Sequence, residues 1–330
     1  MEKYDFTSVG EVLIDFTPAG ISVGGAALYQ RNLGGAPVNV ACAIAKLGRS
    51  SAFIGMAGDD AFGNFCKDTM RGLNVDVKGF ILSPDKNTTL AFVHLSDTGD
   101  RSFSFYRKNS ADVNLSIPDL DMEIVRNSKI FHFGSVSLSD EPSRSATIHS
   151  VREAKKSGSV ISFDPNIRMN LWDNHEEMKA VILDVMRYAD IIKLSDEEAG
   201  FLFGRCDCAA AIGMMTDRFG ASVAFITRGP RGAATVTGGR LYESPAYNVN
   251  IIDTTGAGDC FLAGALNCLM SFGKLKGGLT REETEYMLAF ANASGSLAGA
   301  KMGAVTALPS ARDIELCMQN TEPLILADSQ

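Results

Sequence analysis

The sequence contains neither of the two glycine-rich runs by which nucleotide-binding proteins are most often recognised. No G-x-x-x-x-G-K-[ST] run occurs in its 330 residues, and no G-x-G-x-x-G follows the first strand-like segment. These absences argue against the P-loop nucleotide hydrolases and against the dinucleotide-dependent enzymes. If the protein binds a phosphate group, the hydrogen-bond donors must come from another part of the chain.

The chain also has little positive charge and few residues suited to metal binding. It carries 31 Lys and Arg against 39 Asp and Glu, for a formal net charge of −8. An acidic chain without a basic stripe does not predict a nucleic-acid partner. The four histidines lie far apart, and the seven cysteines include no C-x-x-C pair. We therefore expect reduced thiols, no zinc site and no disulfide framework.

Long apolar runs are missing as well. No stretch of about 18 uncharged apolar residues occurs, so no membrane-spanning helix is expected. The first residues, Met1 to Asp5, do not resemble a secretory leader. We expect a cytoplasmic protein without a membrane partner. Apolar residues nevertheless make up 45% of the chain, which is enough for a sizeable core.

What the chain does contain is a regular alternation of strand-like and helix-like segments. Near-continuous apolar runs, typical of strands buried on both faces, alternate with segments of helical periodicity. The expected strands include 6–16, 51–54, 130–134, 160–164, 190–194 and 223–227, and the expected helices include 37–47, 61–73 and 141–157. This order predicts one α/β domain over residues 1–330, with a mostly parallel sheet between two layers of helices.

Two segments interrupt the alternation. Residues 17–33 are rich in glycine, and residues 88–110 contain two alternating strands around a turn at 97–100. The hairpin has no helix to cover it, so it must cover a ligand cleft or the same surface of a second chain. We expect the two segments to form a small β lid. Because an exposed hairpin offers a free edge, a homodimer through the lid is an open alternative.

Residues 253–259 form the stretch around which the chain is organised, and they read D-T-T-G-A-G-D. A strand-like segment, 247–252, precedes them, and an apolar helical pattern follows. Small residues at a helix start allow unpaired backbone N–H groups to reach a ligand, and the helix dipole adds positive charge. Such a start binds anions such as phosphate. With the carboxylate of Asp259 on its rim, it has the parts needed for phosphoryl transfer to an alcohol.

The carboxylate itself is expected to be ionised. Position 259 lies in the first turn of the predicted helix, where the dipole stabilises a negative charge. The group would therefore be a weak base. Its position would matter more than its basicity, because a loose phosphoryl-transfer transition state needs little early deprotonation.

A second run of small residues lies near the N-terminus. Residues 34–41 read G-G-A-P-V-N-V-A. Paired glycines permit close approach of a ligand, and the amide of Asn39 both donates and accepts hydrogen bonds, which suits vicinal sugar hydroxyls. Asp15 is expected at the carboxyl end of a strand, where ligands collect in open α/β sheets. Gly35, Asn39 and Asp15 are therefore candidate sugar-binding residues.

Together these runs resemble the two signatures of the PfkB, or ribokinase-like, family of carbohydrate kinases. The likeness is to the fructokinase branch and continues through further segments, which are 10–16 (G-E-V-L-I-D-F), 55–63 (G-M-A-G-D-D-A-F-G), 90–112 in the lid, 163–172 (with D-P-N-I-R) and 193–198 (K-L-S-D-E-E). The family often has Asn where this chain has Ser195, but Glu198 of that motif is retained. The resemblance implies the ribokinase-like three-layer α/β/α fold with a mostly parallel central sheet and a small β-sheet lid.

The resemblance also implies roles for individual residues. The base would be Asp259, and the amides of the anion hole would belong to Gly256, Ala257 and Gly258. The sugar would be bound by Asp15, Gly35, Asn39, Arg107 and Arg168. Mg-ATP would be bound by Lys193, Glu198, Thr227, Gly229, Gly232 and Asn292. A potassium ion that stiffens the anion turn would be held by Asp253 and Thr255.

The activity that the resemblance implies is ATP-dependent phosphorylation of the 6-hydroxyl of fructose. The rival substrate is 2-keto-3-deoxygluconate, because Arg107 and Arg168 could pair bidentately with its carboxylate. Ribokinase and nucleoside kinase fit the lid and the 163–168 segment less well. A sugar- or nucleotide-sensing protein without catalysis is a hypothesis from another class, since a fold does not fix a function. The intact residues 256–259 argue against it.

Replacing the expected base tests this interpretation. Asp259→Asn is expected to lower kcat by several orders of magnitude with little change in substrate binding, because the amide fills the same space but accepts no proton. The measurement is steady-state turnover with ATP and sugar. Unchanged turnover in this variant would remove Asp259 as the base.

Overall fold

The computed structural model describes residues 3–95 and 101–325, and the structural statements below refer to these residues. The helices are α1 (Ala36–Lys46), α2 (Ala61–Gly72), α3 (Met122–Arg126), α4 (Ser143–Lys156), α5 (His175–Val185), α6 (Asp196–Phe203), α7 (Cys208–Gly213), α8 (Ala257–Phe272), α9 (Arg281–Gly299) and α10 (Ala311–Asn320). The strands are β1 (Tyr4–Val9), β2 (Leu13–Ile21), β3 (Ala27–Gly34), β4 (Ser51–Gly58), β5 (Val75–Asp76), β6 (Phe80–Ser83), β7 (Thr89–Leu95), β8 (Arg101–Tyr106), β9 (Ser128–Phe133), β10 (Val160–Phe163), β11 (Ile191–Ser195), β12 (Val223–Thr227), β13 (Ala233–Thr237) and β14 (Arg240–Ser244).

The main sheet has ten strands in the order β14-β13-β12-β11-β10-β9-β1-β4-β5, with β6 paired to β4 beside that path. The strands from β12 across to β5 and β6 run parallel, whereas β13 and β14 are antiparallel at one edge. Because the central strands are parallel, their carboxyl ends meet at one edge of the sheet, where ligands bind in α/β proteins.

Helices cover both faces of this sheet. On one face, α1, α8 and α9 contribute Val38, Leu262 and Leu288 to one buried apolar cluster. On the other face, α5 and α6 contribute Ile182 and Leu202 to a second cluster. The predicted three-layer α/β/α arrangement with a mostly parallel sheet is confirmed. No helix of the described segments is both long and apolar enough to cross a bilayer.

The expected helices form where local signals start them. α1 has a proline in its first turn, where a missing N–H costs nothing. Asp60 caps α2 by accepting hydrogen bonds from the N–H groups of Phe62 and Gly63. The predicted capping box of Thr280 and Glu283 begins α9. The observed ends of α1, α2 and α4 differ from the predicted ones by no more than two residues.

The segment 6–16 was expected to be one strand, and this prediction is wrong. β1 ends at Val9 in the main sheet, and β2 begins at Leu13 in a second sheet. The apolar run continues through the break because Val12, Leu13 and Ile14 are buried as completely as β1. Asp15 therefore lies on the second sheet and not at the carboxyl end of a main-sheet strand.

The predicted strand at 247–252 is also absent. Tyr247 makes only an isolated bridge to Pro323, and Ile252 is half-exposed. The backbone runs instead along α9, because the N–H of Tyr247 donates to the hydroxyl of Ser296 at 3.0 Å and the N–H of Ile252 donates to the carbonyl of Gly299 at 2.8 Å. An irregular segment fixed to a helix carries the chain into residues 253–259.

The second sheet has four strands in the order β3-β2-β7-β8. Its hairpins β2–β3 and β7–β8 are antiparallel and join through parallel pairing of β2 with β7. The prediction of a second, small sheet is confirmed; β2 begins before the expected segment 17–33, β7 and β8 lie within 88–110, and the expected turn at 97–100 lies outside the described residues. Leu13, Asp15 and Phe105 of this sheet line a cleft together with residues that follow β10 and β11.

The opposite face of the small sheet carries aromatic side chains. The rings of Phe16 and Phe92 stack with centroids 4.8 Å apart, and Tyr106 meets Phe92 edge-on at 5.6 Å. Tyr106 and Tyr29 are exposed on this face. The small sheet thus has one face on the cleft and an aromatic opposite face, on which Phe16 packs against Phe62 of α2 and the two tyrosines are exposed to solvent.

Candidate active site

Helix α8 begins at a left-handed turn. Its N-cap residue, Gly256, has φ 78°, and a Cβ at this position would lie 2.6 Å from the Cβ of Ala304. Only glycine adopts this conformation without strain. The preceding residues are fixed by Asp253, whose carboxylate accepts hydrogen bonds from the N–H of Thr255 at 2.8 Å and from the N–H of Gly303 at 2.9 Å. The turn and these two hydrogen bonds therefore fix the direction in which α8 starts.

The first N–H groups of α8 have no acceptors inside the helix. Gly256 and Gly258 line a cleft of about 490 Å³ at this turn. Ala257 differs, because its N–H donates to the carbonyl of Thr254 at 3.2 Å and it does not line the cleft. The prediction that Ala257 supplies an anion-hole amide therefore does not fit this structure. The N–H groups of Gly256, Gly258 and Asp259 are the candidate donors.

Asp259 lies in the first turn of α8, lines the cleft and is only 4% exposed. Its Oδ2 accepts a hydrogen bond from Nδ2 of Asn39 at 2.9 Å, and its Oδ1 accepts one from Nδ2 of Asn166 at 3.2 Å. Two amides from distant parts of the chain therefore hold the two oxygens. Each carboxylate oxygen has a second lone pair that can accept a hydrogen bond from a ligand hydroxyl.

The pKa of Asp259 is raised, which is opposite to the direction expected from the helix dipole. Burial raises the pKa, and Glu198 adds to this effect. The hydrogen bond from Asn39 and the positive charges of Lys193 and Arg168 lower it. Desolvation outweighs the dipole because the carboxyl group is almost completely buried. Asp259 is consequently a stronger base than the sequence predicted.

The start of α1 forms another wall of the cleft. Gly35, its N-cap residue, has φ 113°, and a Cβ there would lie 2.5 Å from the carbonyl oxygen of Glu11. Residue 35 must be glycine here because its φ is positive and because a Cβ would collide with the backbone of Glu11. One turn further, Asn39 lines the cleft but gives its Nδ2 to Asp259. The amide oxygen of Asn39 has no hydrogen-bond partner among the described residues.

Asp15 reaches the same cleft from β2. It is 9% exposed, and burial raises its pKa to about 7. Arg168 lowers the pKa, and the nearby carboxylates of Asp253 and Asp259 raise it. A carboxyl group in this state can accept or donate a hydrogen bond with a sugar hydroxyl near neutral pH.

A buried ion pair lies next to the anion turn. Nζ of Lys193 donates to Oδ2 of Asp164 at 2.8 Å, and both side chains are almost fully buried. Burial and the charges of Lys193 and Glu198 act together on Asp164, and the net effect raises its pKa to about 7. A Cβ on Gly258 would lie 3.0 Å from Nζ of Lys193. The ammonium group therefore adds positive charge beside the first turn of α8.

Glu198 is held by two backbone N–H groups. Its Oε2 accepts from the N–H of Ser195 at 2.8 Å in a capping box that begins α6, and its Oε1 accepts from the N–H of Ile167 at 2.8 Å. The residue lines the cleft. A carboxylate in this arrangement is suited to hydrogen bonding with the water shell of a magnesium ion.

The two predicted sugar-binding arginines lie in different environments. Arg107 is buried and pairs with Asp112 at 2.7 Å, and it donates further to the hydroxyl of Ser139 and the carbonyl of Val136. It does not line the cleft, so the prediction that it binds sugar does not fit this structure. Arg168 lines the cleft, and its NH1 donates to the carbonyl of Ile167 at 3.1 Å.

The other residues expected at the nucleotide do not line this cleft; they are Thr227, Gly229, Gly232 and Asn292. Thr227 ends β12 directly opposite Ser195, which does line it, so the 227–232 turn adjoins the cleft. Asn292 is buried in α9 and donates to the carbonyl of Ser244 at 2.8 Å. Asp253 and Thr255, expected at a potassium ion, precede Gly256 in the chain; Thr255 lines the cleft, whereas Asp253 is buried and does not line it.

Sequence reasoning missed three residues of the site. Asn166 and Asp164 belong to the D-P-N-I-R run, in which only Arg168 has a predicted role. Glu11 lines the cleft, and its Oε1 accepts a hydrogen bond from the N–H of Ala36 at 3.0 Å. Burial raises the pKa of Glu11 to about 7. The only feature of the sequence that could have identified these three residues as part of the site was the position of each one inside a motif.

A family model described as pfkB family carbohydrate kinase matches residues 5–311. The chain belongs to the pfkB family of carbohydrate kinases. The resemblance inferred from the motifs is thereby confirmed. Among the relatives of this pfkB kinase, Fructokinase-2 of Oryza sativa subsp. japonica is 41% identical over 308 residues, which cover 92% of this chain and 90% of that protein.

Solved structures of the family have the same fold. A fructokinase with bound ATP from Xylella fastidiosa is 31% identical and superposes with a TM-score of 0.87 over 96% of this chain and 98% of that one. A fructokinase from Vibrio cholerae O395 in fructose, ADP and calcium ion bound form is 32% identical, with a TM-score of 0.84 over 96% of this chain and 99% of that one. The predicted ribokinase-like fold is confirmed.

The raised pKa of Asp15 predicts how stability depends on pH. The unfolded carboxyl ionises near 3.8 and the folded one near 7, so its contribution to stability is present below the lower value and is lost as pH rises through the upper one. Asp15→Asn keeps a neutral group at every pH. From pH 5 to pH 8 without ligand, the free energy of unfolding of Asp15→Asn should therefore rise relative to that of the wild type by about 2–3 kcal/mol.

Urea unfolding at the two pH values measures this difference. Asp68→Asn is the matched control, because the Asp68 side chain is 78% exposed. Equal pH dependence in wild type and Asp15→Asn would show that the carboxyl of Asp15 is not destabilised by burial.

Substitution can distinguish a structural role of Arg107 from a sugar-binding role of Arg168. Arg107→Met leaves Asp112 buried without its cation and should cost about 3–5 kcal/mol of stability, with little effect on the sugar KM of the folded enzyme. Arg168→Met should raise the sugar KM and leave stability nearly unchanged. Thermal unfolding and steady-state kinetics on both variants measure these effects. A raised sugar KM in Arg107→Met at full stability would restore Arg107 to the sugar site.

Proposed function

We propose that this pfkB kinase transfers the γ-phosphoryl group of ATP to the 6-hydroxyl of D-fructose. The observation that carries the proposal is the convergence on one cleft of the Asp259 carboxylate and the first N–H groups of α8. The relatives named above, all fructokinases, support fructose as the acceptor. A carboxylate next to an anion-binding helix start has the chemistry that transfer to an alcohol requires.

In the proposed reaction the sugar lies against β2 and the start of α1. Asp15 and Gly35 hold hydroxyls of the sugar, and the reacting hydroxyl donates a hydrogen bond to the carboxylate of Asp259. As the oxygen attacks the γ-phosphorus, the bond from that phosphorus to the oxygen bridging it to the β-phosphate breaks, ADP leaves, and the hydroxyl proton passes to the carboxylate of Asp259. The N–H groups of Gly256 and Gly258 stabilise the charge on the transferred group, and Lys193 adds a positive charge beside them.

The charge of the cleft favours a neutral sugar over a sugar acid. Its carboxyl groups are those of Glu11, Asp15, Glu197, Glu198 and Asp259. Of its two cations, Lys193 is already paired with Asp164, which leaves Arg168. Because Arg107 is paired with the buried Asp112 and does not line the cleft, the bidentate clamp that would favour 2-keto-3-deoxygluconate lacks one arginine. A single arginine still makes that sugar acid the rival to test.

The metal ions belong to the proposal as well. A magnesium ion that accompanies ATP would have its water shell held by Glu198, and it would neutralise phosphate charge when bound. A potassium ion is proposed to bind near Asp253, whose two oxygens accept the N–H groups of Thr255 and Gly303. Bound there, the ion would stiffen the turn that carries the N–H donors.

The small sheet is proposed to act as a lid of a single kinase domain. Leu13 and Phe105 present apolar surface to the cleft from this sheet. Closure over bound sugar would exclude water and so limit wasteful hydrolysis of ATP. The exposed aromatic face with Tyr29 and Tyr106 is where a second subunit would bind if the protein is a homodimer.

A panel of acceptors tests the proposed function. ADP release with ATP is measured on fructose, 2-keto-3-deoxygluconate, ribose and no sugar, and phosphorus NMR identifies the phosphorylated position. We expect the highest kcat/KM on fructose, with fructose 6-phosphate as product. Preference for the sugar acid would correct the substrate, and ADP release that no sugar accelerates would contradict the kinase proposal.

A further inference from the structure

Asn166 donates a hydrogen bond to Asp259 and has an unusual backbone conformation. Its φ is 48°, in the left-handed region that residues with a side chain seldom adopt. Among the described residues, Asn74 and Asn109 are the other non-glycine residues in that region, and neither lines the cleft. A sparsely populated conformation persists only where surrounding contacts hold it, and such conformations are concentrated at functional sites.

The backbone is held on both sides of Asn166. The carbonyl oxygen of Pro165 accepts hydrogen bonds from the N–H of Ser135 at 2.9 Å and from its hydroxyl at 2.6 Å. On the other side, the N–H of Ile167 donates to Oε1 of Glu198 at 2.8 Å. These contacts fix the left-handed residue between them and direct its side-chain amide into the cleft.

We infer that Asn166 is a positioning residue for phosphoryl transfer, whose side-chain amide fixes the plane of the Asp259 carboxylate. The inference rests on the proposed function, in which Asp259 is the base. Asn39 holds Oδ2 at 2.9 Å and Asn166 holds Oδ1 at 3.2 Å. With one amide alone, the carboxylate could rotate about its terminal torsion, which has a broad energy minimum. The second amide restricts that rotation and fixes the lone pair that receives the proton.

Position 166 requires a residue that adopts the left-handed backbone conformation and donates a hydrogen bond from a neutral side chain. Asparagine meets both requirements. Glycine adopts the left-handed conformation without strain but has no amide. Aspartate also visits this conformation, but it would add a negative charge beside Asp259. Substitution can therefore separate the backbone requirement from the requirement for a donor.

The ionisable groups that face Asp259 are Lys193 on β11, Arg168 and Asp164 after β10, Glu198 in α6 and Asp15 on β2. All of them remain in variants at position 166. A hydrogen bond to a carboxylate favours its ionised form, so loss of the Asn166 amide should raise the pKa of Asp259. This pKa is a readout that a merely structural role for Asn166 would leave unchanged.

The test compares Asn166→Gly with Asn166→Asp. Asn166→Gly should fold as stably as the wild type and lower kcat by about 10- to 100-fold, since small misplacements of a reacting group have effects of this size. Its KM for ATP should stay within about twofold of the wild-type value. Asn166→Asp should lower kcat further. The acid limb of the kcat profile should move to higher pH in both variants, and furthest in Asn166→Asp.

Carbon-13 NMR of labelled aspartate follows the same group without turnover, and the spectrum of Asp259→Asn assigns its signal. The pKa of Asp259 should rise in both variants at position 166. Asn74→Gly is the matched control, because Asn74 has φ 63° at the end of α2 but does not line the cleft. It should leave kcat and the pKa of Asp259 at their wild-type values.

Wild-type kcat together with an unshifted Asp259 pKa in Asn166→Gly would overturn the inference. An equal loss of kcat in Asn74→Gly would do the same, because the effect would then be general to left-handed asparagines. If the wild-type protein phosphorylates no sugar, the proposed function fails separately. The NMR titration then still decides whether Asn166 holds the carboxylate, since a raised pKa supports the contact and an unshifted pKa refutes it.

Discussion

The chemistry of the cleft depends on one constraint, the left-handed turn at Gly256 that starts α8. Because Asp253 bonds to the N–H groups of Thr255 and Gly303, the turn cannot rotate independently of the 303 loop. The first N–H groups of α8 and the side chain of Asp259 consequently point into the space at the carboxyl ends of β10 and β11. The other walls of the cleft come from the small sheet and the start of α1. Because the turn faces these walls, a ligand bound against them would lie next to the N–H groups of α8 and Asp259.

The cleft and its surroundings also hold ionisable groups away from water. Burial raises the pKa of Asp15, Asp164 and Asp259, and each carboxyl has partners that oppose the effect. For Asp259 these are an amide hydrogen bond and nearby cations, so its pKa is raised but the ionised form keeps specific support. Asp259 therefore has a raised pKa and a carboxyl group that is still held in a defined direction, as its proposed role as the base requires. A cleft with this many carboxyl groups is suited to neutral hydroxyl-bearing ligands and relies on local N–H groups for anions.

Much of the fold and part of the site could be predicted because the signals are local. Alternating apolar runs gave the parallel sheet and its helices, and the runs at 34–41 and 253–259 identified two walls of the cleft. The failures involve contacts between residues far apart in the chain. The apolar run through 6–16 did not reveal a change of sheet, and the resemblance could not show that Arg107 pairs with Asp112. The contact of Asn166 with Asp259 spans 93 positions, so no local pattern could have predicted it.

The most direct test of the central claim is a crystal structure of the enzyme with fructose, ADP and aluminium fluoride, which imitates the phosphoryl group in transfer. We predict fluorine atoms within hydrogen-bond distance of the N–H groups of Gly256 and Gly258. This prediction also places the sugar 6-hydroxyl within hydrogen-bond distance of the Asp259 carboxylate. A metal fluoride bound away from the start of α8, or a sugar hydroxyl that reaches the fluoride without touching Asp259, would contradict it.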